Sequence, residues 1–247
     1  MSESIDVTTV AAGIARLAWS HEHTIDDVRR EVAAALREHG RVETWVDPDD
    51  LAAQRMATWS GMHREGVMRG VSVDDQAVDR IVYSRLATDA PLDDPGGFRS
   101  LLNSFLPRKR AISQLLVRDD RDRVLMCRLT YKQDWDLPGG VVEVGESPRL
   151  AVGREVEEEL GLTLSVGDLL LTDWLPPWGG WDDAVCLVFD GGTHPESILD
   201  HVVKQEREIR DVAFCTLDEV RSRAADFTAR RVEAALRGGA GYTESGR

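Results

Sequence analysis

Gly140-Val-Val-Glu-Val-Gly-Glu146 and, seven residues further on, Arg154-Glu155-Val156-Glu157-Glu158-Glu159-Leu160-Gly161-Leu162 decide the reading of this 247-residue chain. The borders of a helix are written into them. Ser147 is an N-cap residue type, Pro148 takes the first helical position, where its missing N–H costs nothing, and Gly161 supplies the left-handed stop. The helix predicted over 147–160 carries Glu155, Glu158 and Glu159 at i, i+3 and i+4, so three carboxylates share one face. Like charges at that spacing cost an isolated helix roughly 0.2–0.5 kcal/mol per pair, which leaves the face without a local stabilising logic. A hard divalent cation provides one, because Mg²⁺ takes an oxygen shell of carboxylates, waters and phosphate oxygens. Arg154 has the planar fork that orients a neighbouring carboxylate, and the Gly139-Gly140 pair lets backbone come close to a cation.

After Pro107 the periodicity is that of strands. Short apolar runs over 111–117 and 124–129, separated by the polar turn 119–123, read as a hairpin. Further strands are expected over 164–172, 184–189 and 212–215, a closing helix over 218–236, and a disordered tail over 237–247. The arrangement is α+β.

The quoted stretch resembles the Nudix box, G-x5-E-x7-R-E-U-x-E-E-x-G-U with U aliphatic. Gly140, Glu146, Arg154, Glu155, Glu158, Glu159 and Gly161 fill its fixed positions, and Val156 and Leu162 its aliphatic ones. The resemblance covers about residues 108–236. It implies a Nudix fold, a mixed sheet sandwiched between helices with the box as a loop–helix–loop, and Mg²⁺- or Mn²⁺-dependent hydrolysis of a nucleoside diphosphate linked to another group. It implies metal ligation by Glu158, Glu159 and the Gly139 carbonyl, with Glu155 as ligand or general base and Glu146 and Arg154 as orienting residues. Family members often recruit a further carboxylate from outside the box; here Glu206 and Glu208 are candidates, as is Glu143 inside the loop, and each is equally readable as a surface charge.

Trp174-Leu-Pro-Pro-Trp178-Gly-Gly-Trp181 joins two of the expected strands. Aromatic faces stack on bases and Pro and Gly shape a loop, so Trp174, Trp178 and Trp181 are candidates for substrate recognition, or, one by one, for the core. Among Nudix proteins resembling ADP-ribose hydrolases a proline tends to follow the box by about fifteen residues, where this chain has Pro177. That places ADP-ribose or a nucleotide sugar slightly ahead of a nucleoside triphosphate. Arg108, Lys109 and Arg110 read as a solvated strand entrance or a phosphate contact, Trp135 as packing, and the six histidines form no ligand set.

Residues 1–105 read as a mostly α-helical domain preceding the Nudix region. One helix is expected over 24–40, where Ile25, Val28, Val32 and Leu36 recur at helical spacing between an N-cap threonine and a glycine stop; others are expected over 7–18, 48–59, 74–86 and 98–106. Before position 108 there are eleven basic and eighteen acidic residues, half of the net charge of −14, so neither half has the basic excess that nucleic acid demands. Cys127, Cys186 and Cys215 lie in apolar runs without metal-site spacing and read as buried thiols of a reducing compartment. With no basic-then-apolar leader and no apolar span of bilayer length, the expectation is a cytoplasmic protein acting on a small nucleotide, with no membrane or nucleic-acid partner and with a homodimer open to it. A second reading, a regulatory protein that senses a nucleotide through the same fold, is set against the enzyme by the intact acidic set.

Overall fold

The computed structural model describes residues 4–73, 75–238 and 241–247, and the chain divides into two units, Met1–Pro107 and Arg108–Arg247. The first contains β1 (Asp6–Ala11), β2 (Ile14–Ala18), α1 (Ile25–Ala35), β3 (Arg41–Val46), α2 (Leu51–Trp59), β4 (His63–Val73), β5 (Gln76–Leu86) and α3 (Pro95–Phe105). Its strands form one sheet in the order β1-β2-β3-β5-β4, antiparallel except for β2 and β3, which α1 connects as a parallel crossover. Val28, Val32 and Ala35 of α1 and Ala57 of α2 pack on Val42, Val46, Ile81 and Tyr83 of the sheet.

The mostly helical reading of this unit is therefore corrected. Over 7–18 the chain makes a hairpin around Gly13 at φ +73°, and over 74–86 it makes β5, residue 74 itself lying outside the described residues. The Val7-Thr-Thr-Val10 run is β-branched and stiff at χ1, which favours a strand over the helix suggested by its apolar spacing. Helices do form at three expected places as α1, α2 and α3. Thr24 and Asp27 close a capping box at the start of α1, but the helix stops at Ala35, short of Gly40.

The second unit contains β6 (Arg110–Arg118), β7 (Val124–Leu129), β8 (Trp135–Asp136), β9 (Gly139–Val141), α4 (Pro148–Leu160), β10 (Leu169–Leu175), β11 (Ala184–Thr193), a 3-10 turn (Glu196–His201), β12 (Ile209–Cys215), α5 (Leu217–Arg223), α6 (Asp226–Arg237) and β13 (Tyr242–Glu244). The sheet runs β12-β7-β6-β11-β10-β13, with β8 on β7 and β9 on β6; β6–β11 and β10–β13 are parallel pairs, so the sheet is mixed. Strand alternation builds two cores. Leu115, Val117, Leu125 and Cys127 face Val152, Val156 and Leu160 of α4, while Leu116, Val124 and Met126 face Val220 and Val232 of α5 and α6. The sheet is thus sandwiched between helices, as the resemblance implies.

Two details differ from expectation. The closing helix is two, because Ala224 and Ala225 take extended backbone and Ala224 bridges to Trp135. The tail expected to lack order supplies β13, which pairs with Thr172, Asp173 and Trp174 of β10; residues 239 and 240 of it lie outside the described residues. All three cysteines are free and buried. Among the described residues no helix is long and apolar enough to cross a membrane.

Candidate active site

The borders of α4 position the acidic face. Pro148 opens the helix, Ser147 takes the extended cap conformation without a side-chain hydrogen bond, and Gly161 ends it at φ +66° with its N–H on the Glu157 carbonyl. The next loop completes the C-terminus: Val203 N–H donates to Leu160 O at 2.8 Å and Gln205 N–H to Glu159 O at 2.9 Å, satisfying carbonyls that the helix leaves open. That loop brings Glu208 to the site.

Arg154 is the centre of the cluster. Its Nε and Nη2 donate to the two carboxylate oxygens of Glu146, each at 3.0 Å; Nη1 reaches Glu158 at 2.9 Å and Nη2 lies 3.0 Å from Glu155. The arginine donation holds the Glu146 carboxyl below its usual range, and the same pairing raises the guanidinium above its own. Glu155 and Glu159 are shifted the other way. Burial raises both, Glu155 against the opposing pull of Arg154, and Glu159 to about 8. Glu159 is only 5 % exposed, and among the described residues a single donor, Gly139 N–H at 3.0 Å, meets its carboxylate.

Glu143, Glu155, Glu158, Glu159 and Glu208 line one cavity of about 360 Å³ together with Gly139 and Gly140. Glu206 does not line it. Among the described residues no three acidic, histidine or cysteine side chains stand close enough to enclose a metal as they are, Arg154 being bonded to two of the candidates. The donor set nevertheless suits a hard divalent cation: it is all oxygen, it holds a buried carboxylate with one protein donor, and the missing side chain of Gly140 leaves the Glu155 carboxylate its place.

A second cavity, of about 530 Å³, shares Tyr131, Gly139, Gly140 and Val141 with the first. Its walls include Ile112, Leu129, Leu137 and Trp181, and Arg110 stacks over the Trp181 ring with its guanidinium carbon 4.6 Å from the centroid. Trp178 and Trp181 are paired through both backbone N–H groups across Gly179 and Gly180, each at positive φ, so the loop is a tight hairpin. Trp178 meets Phe227 edge-on and, with Pro177, lines a smaller cavity of about 180 Å³ that touches the second through Arg110 and Trp181. Pro177 and Trp178 thus lie away from the carboxylates. Trp174 lines none of these three cavities; it is half-buried, with Nε1 3.4 Å from Asp183. Trp135 packs against the core of α5 and α6.

Sequence reading missed Tyr131, which stands between the two larger cavities, and the polar floor made by Gln114, Lys132, Asp136 and Arg231. The available signal was position: Lys132 and Asp136 lie at i and i+4 just before the Gly139-Gly140 pair, and they bond at 2.6 Å.

An acidic helix face packed on the mixed sheet of an α+β domain, with one arginine bound to three of its loop and helix carboxylates, is the arrangement that the resemblance implies for the box at residues 140–162. The NUDIX domain model matches residues 107–236, just over half of the chain, and the chain belongs to that family. It is 33 % identical over 139 residues to a MutT-like protein of Streptomyces ambofaciens, covering 55 % of this chain and 81 % of that protein. It is 36 % identical over 90 residues to a CMP-5'-(N-acetyl-N-hydroxy-3-aminopropyl)phosphonate hydrolase of Streptomyces rubellomurinus, covering 34 % of this chain and 43 % of that one. The crystal structure of a MutT protein from Methanosarcina mazei Go1 superposes with a TM-score of 0.46 at 24 % identity, over 54 % of this chain and 97 % of the other.

Proposed function

We propose that the chain hydrolyses the diphosphate bond of a nucleoside-diphosphate-linked small molecule, a nucleotide sugar or ADP-ribose ahead of a nucleoside triphosphate. The observation that carries the reading is the junction of the two larger cavities at Gly139, Gly140 and Val141: a diphosphate at the carboxylates has an apolar, aromatic-walled space beside it for the group it carries. The smaller cavity beyond Trp181 gives a further group somewhere to lie.

Glu155, Glu158, Glu159 and the Gly139 carbonyl are the groups that would hold Mg²⁺, with Mn²⁺ as a substitute. When bound, the ion would neutralise phosphate oxygens and lower the pKa of an attacking water. Arg154 and Glu146 keep the acidic side chains oriented through the bidentate pair described above. Glu155, half-buried and raised in pKa, is a ligand or the general base; Glu208 and Glu143 are placed to add a carboxylate at the cavity rim. Trp181 and Arg110 face the carried group, and Pro177 and Trp178 shape the outer cavity. Trp174 supports the loop through Asp183 and drops from the contact set.

The test is phosphate-coupled turnover with Mg²⁺ against ADP-ribose, nucleotide sugars, dinucleoside polyphosphates, NADH and normal and oxidised nucleoside triphosphates. Metal-dependent cleavage of the diphosphate-linked class is expected. Silence across the panel from a folded sample would overturn the proposal and favour a nucleotide sensor.

A further inference from the structure

The first unit holds a cavity of about 260 Å³ between α2, α3 and the β4–β5 pair. Helical spacing builds one wall, since Leu51, Arg55, Thr58 and Trp59 fall at i, i+4, i+7 and i+8 along α2. Strand register builds another: Arg64 and Tyr83 are direct cross-strand partners, so their side chains share a face of the sheet. Phe105, the last residue of α3, meets the Trp59 ring edge-on at 6.4 Å and completes an aromatic side.

The polar groups around this cavity are not used up inside the protein. Tyr83 is 2 % exposed and Thr58 7 %, yet neither hydroxyl has a hydrogen-bond partner among the described residues. Neither oxygen is among the sealed, unpartnered atoms, so both keep access to the space that the two residues line. The guanidiniums of Arg55 and Arg64 also have no partner among the described residues. The arginines of β2, β3 and β5 are all bonded, Arg16 and Arg41 to Glu43, Arg80 to Asp47, and Arg85 to the carbonyls of Gly61 and Ala90. No Asp or Glu lines the cavity, in a unit with eighteen acidic residues to eleven basic ones.

Nearly buried hydroxyls and paired guanidiniums demand an acceptor, and here it has to come from outside the chain. Forked N–H donors match the two oxygens of a carboxylate or phosphate, and the hydroxyls add to them. Leu51, Trp59 and Phe105 offer an apolar, flat-sided space beside that point. Drug-sized ligands occupy roughly 300–1,000 Å³, so this space limits the body to about one ring.

We infer that the cavity binds a small aromatic acid, a one-ring carboxylate or phosphate monoester, with its oxyanion on Arg55, Arg64 and the Tyr83 and Thr58 hydroxyls and its ring against Trp59 and Phe105. The first unit is then a ligand-binding module with its own chemistry, independent of the diphosphate reaction proposed for the second.

The experiment is titration of the full chain, without metal, with benzoate, phenyl phosphate, benzyl alcohol and inorganic phosphate, read at the indole N–H resonance of Trp59, which its loss in Trp59→Phe assigns. A saturable shift with benzoate or phenyl phosphate is expected, the tighter of the two naming the head group. Benzyl alcohol and inorganic phosphate should each bind at least about 10-fold more weakly, since one lacks the charge and the other the ring. Arg55→Ala and Arg64→Ala should each weaken binding roughly 10–100-fold and Tyr83→Phe about 10-fold, the range of hydrogen bonds to a charged group. Arg55 is exposed, so its variant keeps the fold and decides alone if Arg64→Ala does not fold. The inference is overturned by no shift with either acid, by benzyl alcohol matching benzoate, by inorganic phosphate matching phenyl phosphate, or by unchanged binding in Arg55→Ala.

Discussion

A Cβ placed on Gly140 would stand 2.5 Å from the carboxyl carbon of Glu155 and 2.6 and 2.7 Å from its oxygens. The two residues therefore fit together only because position 140 has no side chain. Real Cβ atoms do not approach so closely, so Gly140→Ala must push the Glu155 carboxylate out of its place. Backbone strain is not the issue, since Gly140 is absent from the positive-φ glycines. Turnover should fall by ~100-fold with little change in thermal midpoint, as a misplacement of about an ångström at reacting groups does. Full activity in this variant would show that the position of Glu155 is immaterial.

Arg154 binds Glu146 with two parallel hydrogen bonds while reaching Glu155 and Glu158, and only a guanidinium has that geometry. Arg154→Lys keeps the charge but should lower kcat by roughly 10–100-fold, the cost typical of losing an outer support of a metal-binding carboxylate. Glu158→Gln should abolish turnover with an unchanged circular dichroism spectrum, because the side chain is 59 % exposed and supports no core. Wild-type rates for Glu158→Gln at saturating Mg²⁺ would remove the acidic face from the mechanism.

The visible part of the site follows the residues whose roles are local. Pro148 and Gly161 bound α4 by backbone chemistry alone, and the i, i+3, i+4 spacing puts Glu155, Glu158 and Glu159 together before any tertiary contact forms. Arg231, Gln114 and Asp173 meet across separations of 58 and 117 residues, and no window of sequence contains that. In the first unit β1 is exposed along its whole length, so it has no buried face for a period-two pattern to report. The strand β5 hides its pattern differently: Ile81 to Ser84 are buried consecutively, and a continuous apolar run does not separate strand from helix.

With Glu159 as a ligand, as proposed, metal binding would be pH-dependent. Burial raises its carboxyl to about 8 against an ordinary 4.5, so the folded, metal-free chain keeps the proton at neutral pH while the unfolded chain has lost it. Since the unfolded state sheds its proton first, this group makes the metal-free protein less stable as pH climbs from 4.5 to about 8, and has no further effect above. A cation must displace that proton. Mg²⁺ affinity should therefore rise by up to about tenfold per pH unit below this pKa and level off above it. Titration calorimetry in buffers of different ionisation enthalpy should detect close to one proton released per ion at pH 6–7. The same release from Glu159→Gln would assign the proton elsewhere.

Asp173 is fully buried and binds Arg231 Nε, Thr243 Oγ1 and Gly246 N–H, so it joins β10, α6 and the C-terminal strand at one point. Asp173→Ala leaves Arg231 Nε without its acceptor in the interior, and removing one partner of a buried pair costs about 3–5 kcal/mol. Asp173→Asn keeps an acceptor and should cost less. Removing residues 242–247 instead leaves the pair intact but strips two donors from Oδ1 and, with them, the β13 ladder on β10 and the bonds of Ser245 to Trp174 and Arg230, at about 1 kcal/mol for each hydrogen bond lost. Urea unfolding should place Asp173→Ala below Asp173→Asn, and the truncation below the full chain. If the truncation were harmless, β13 would be resting on the sheet rather than holding Asp173, and the hold of the C-terminal strand on the cavity floor would fail with it.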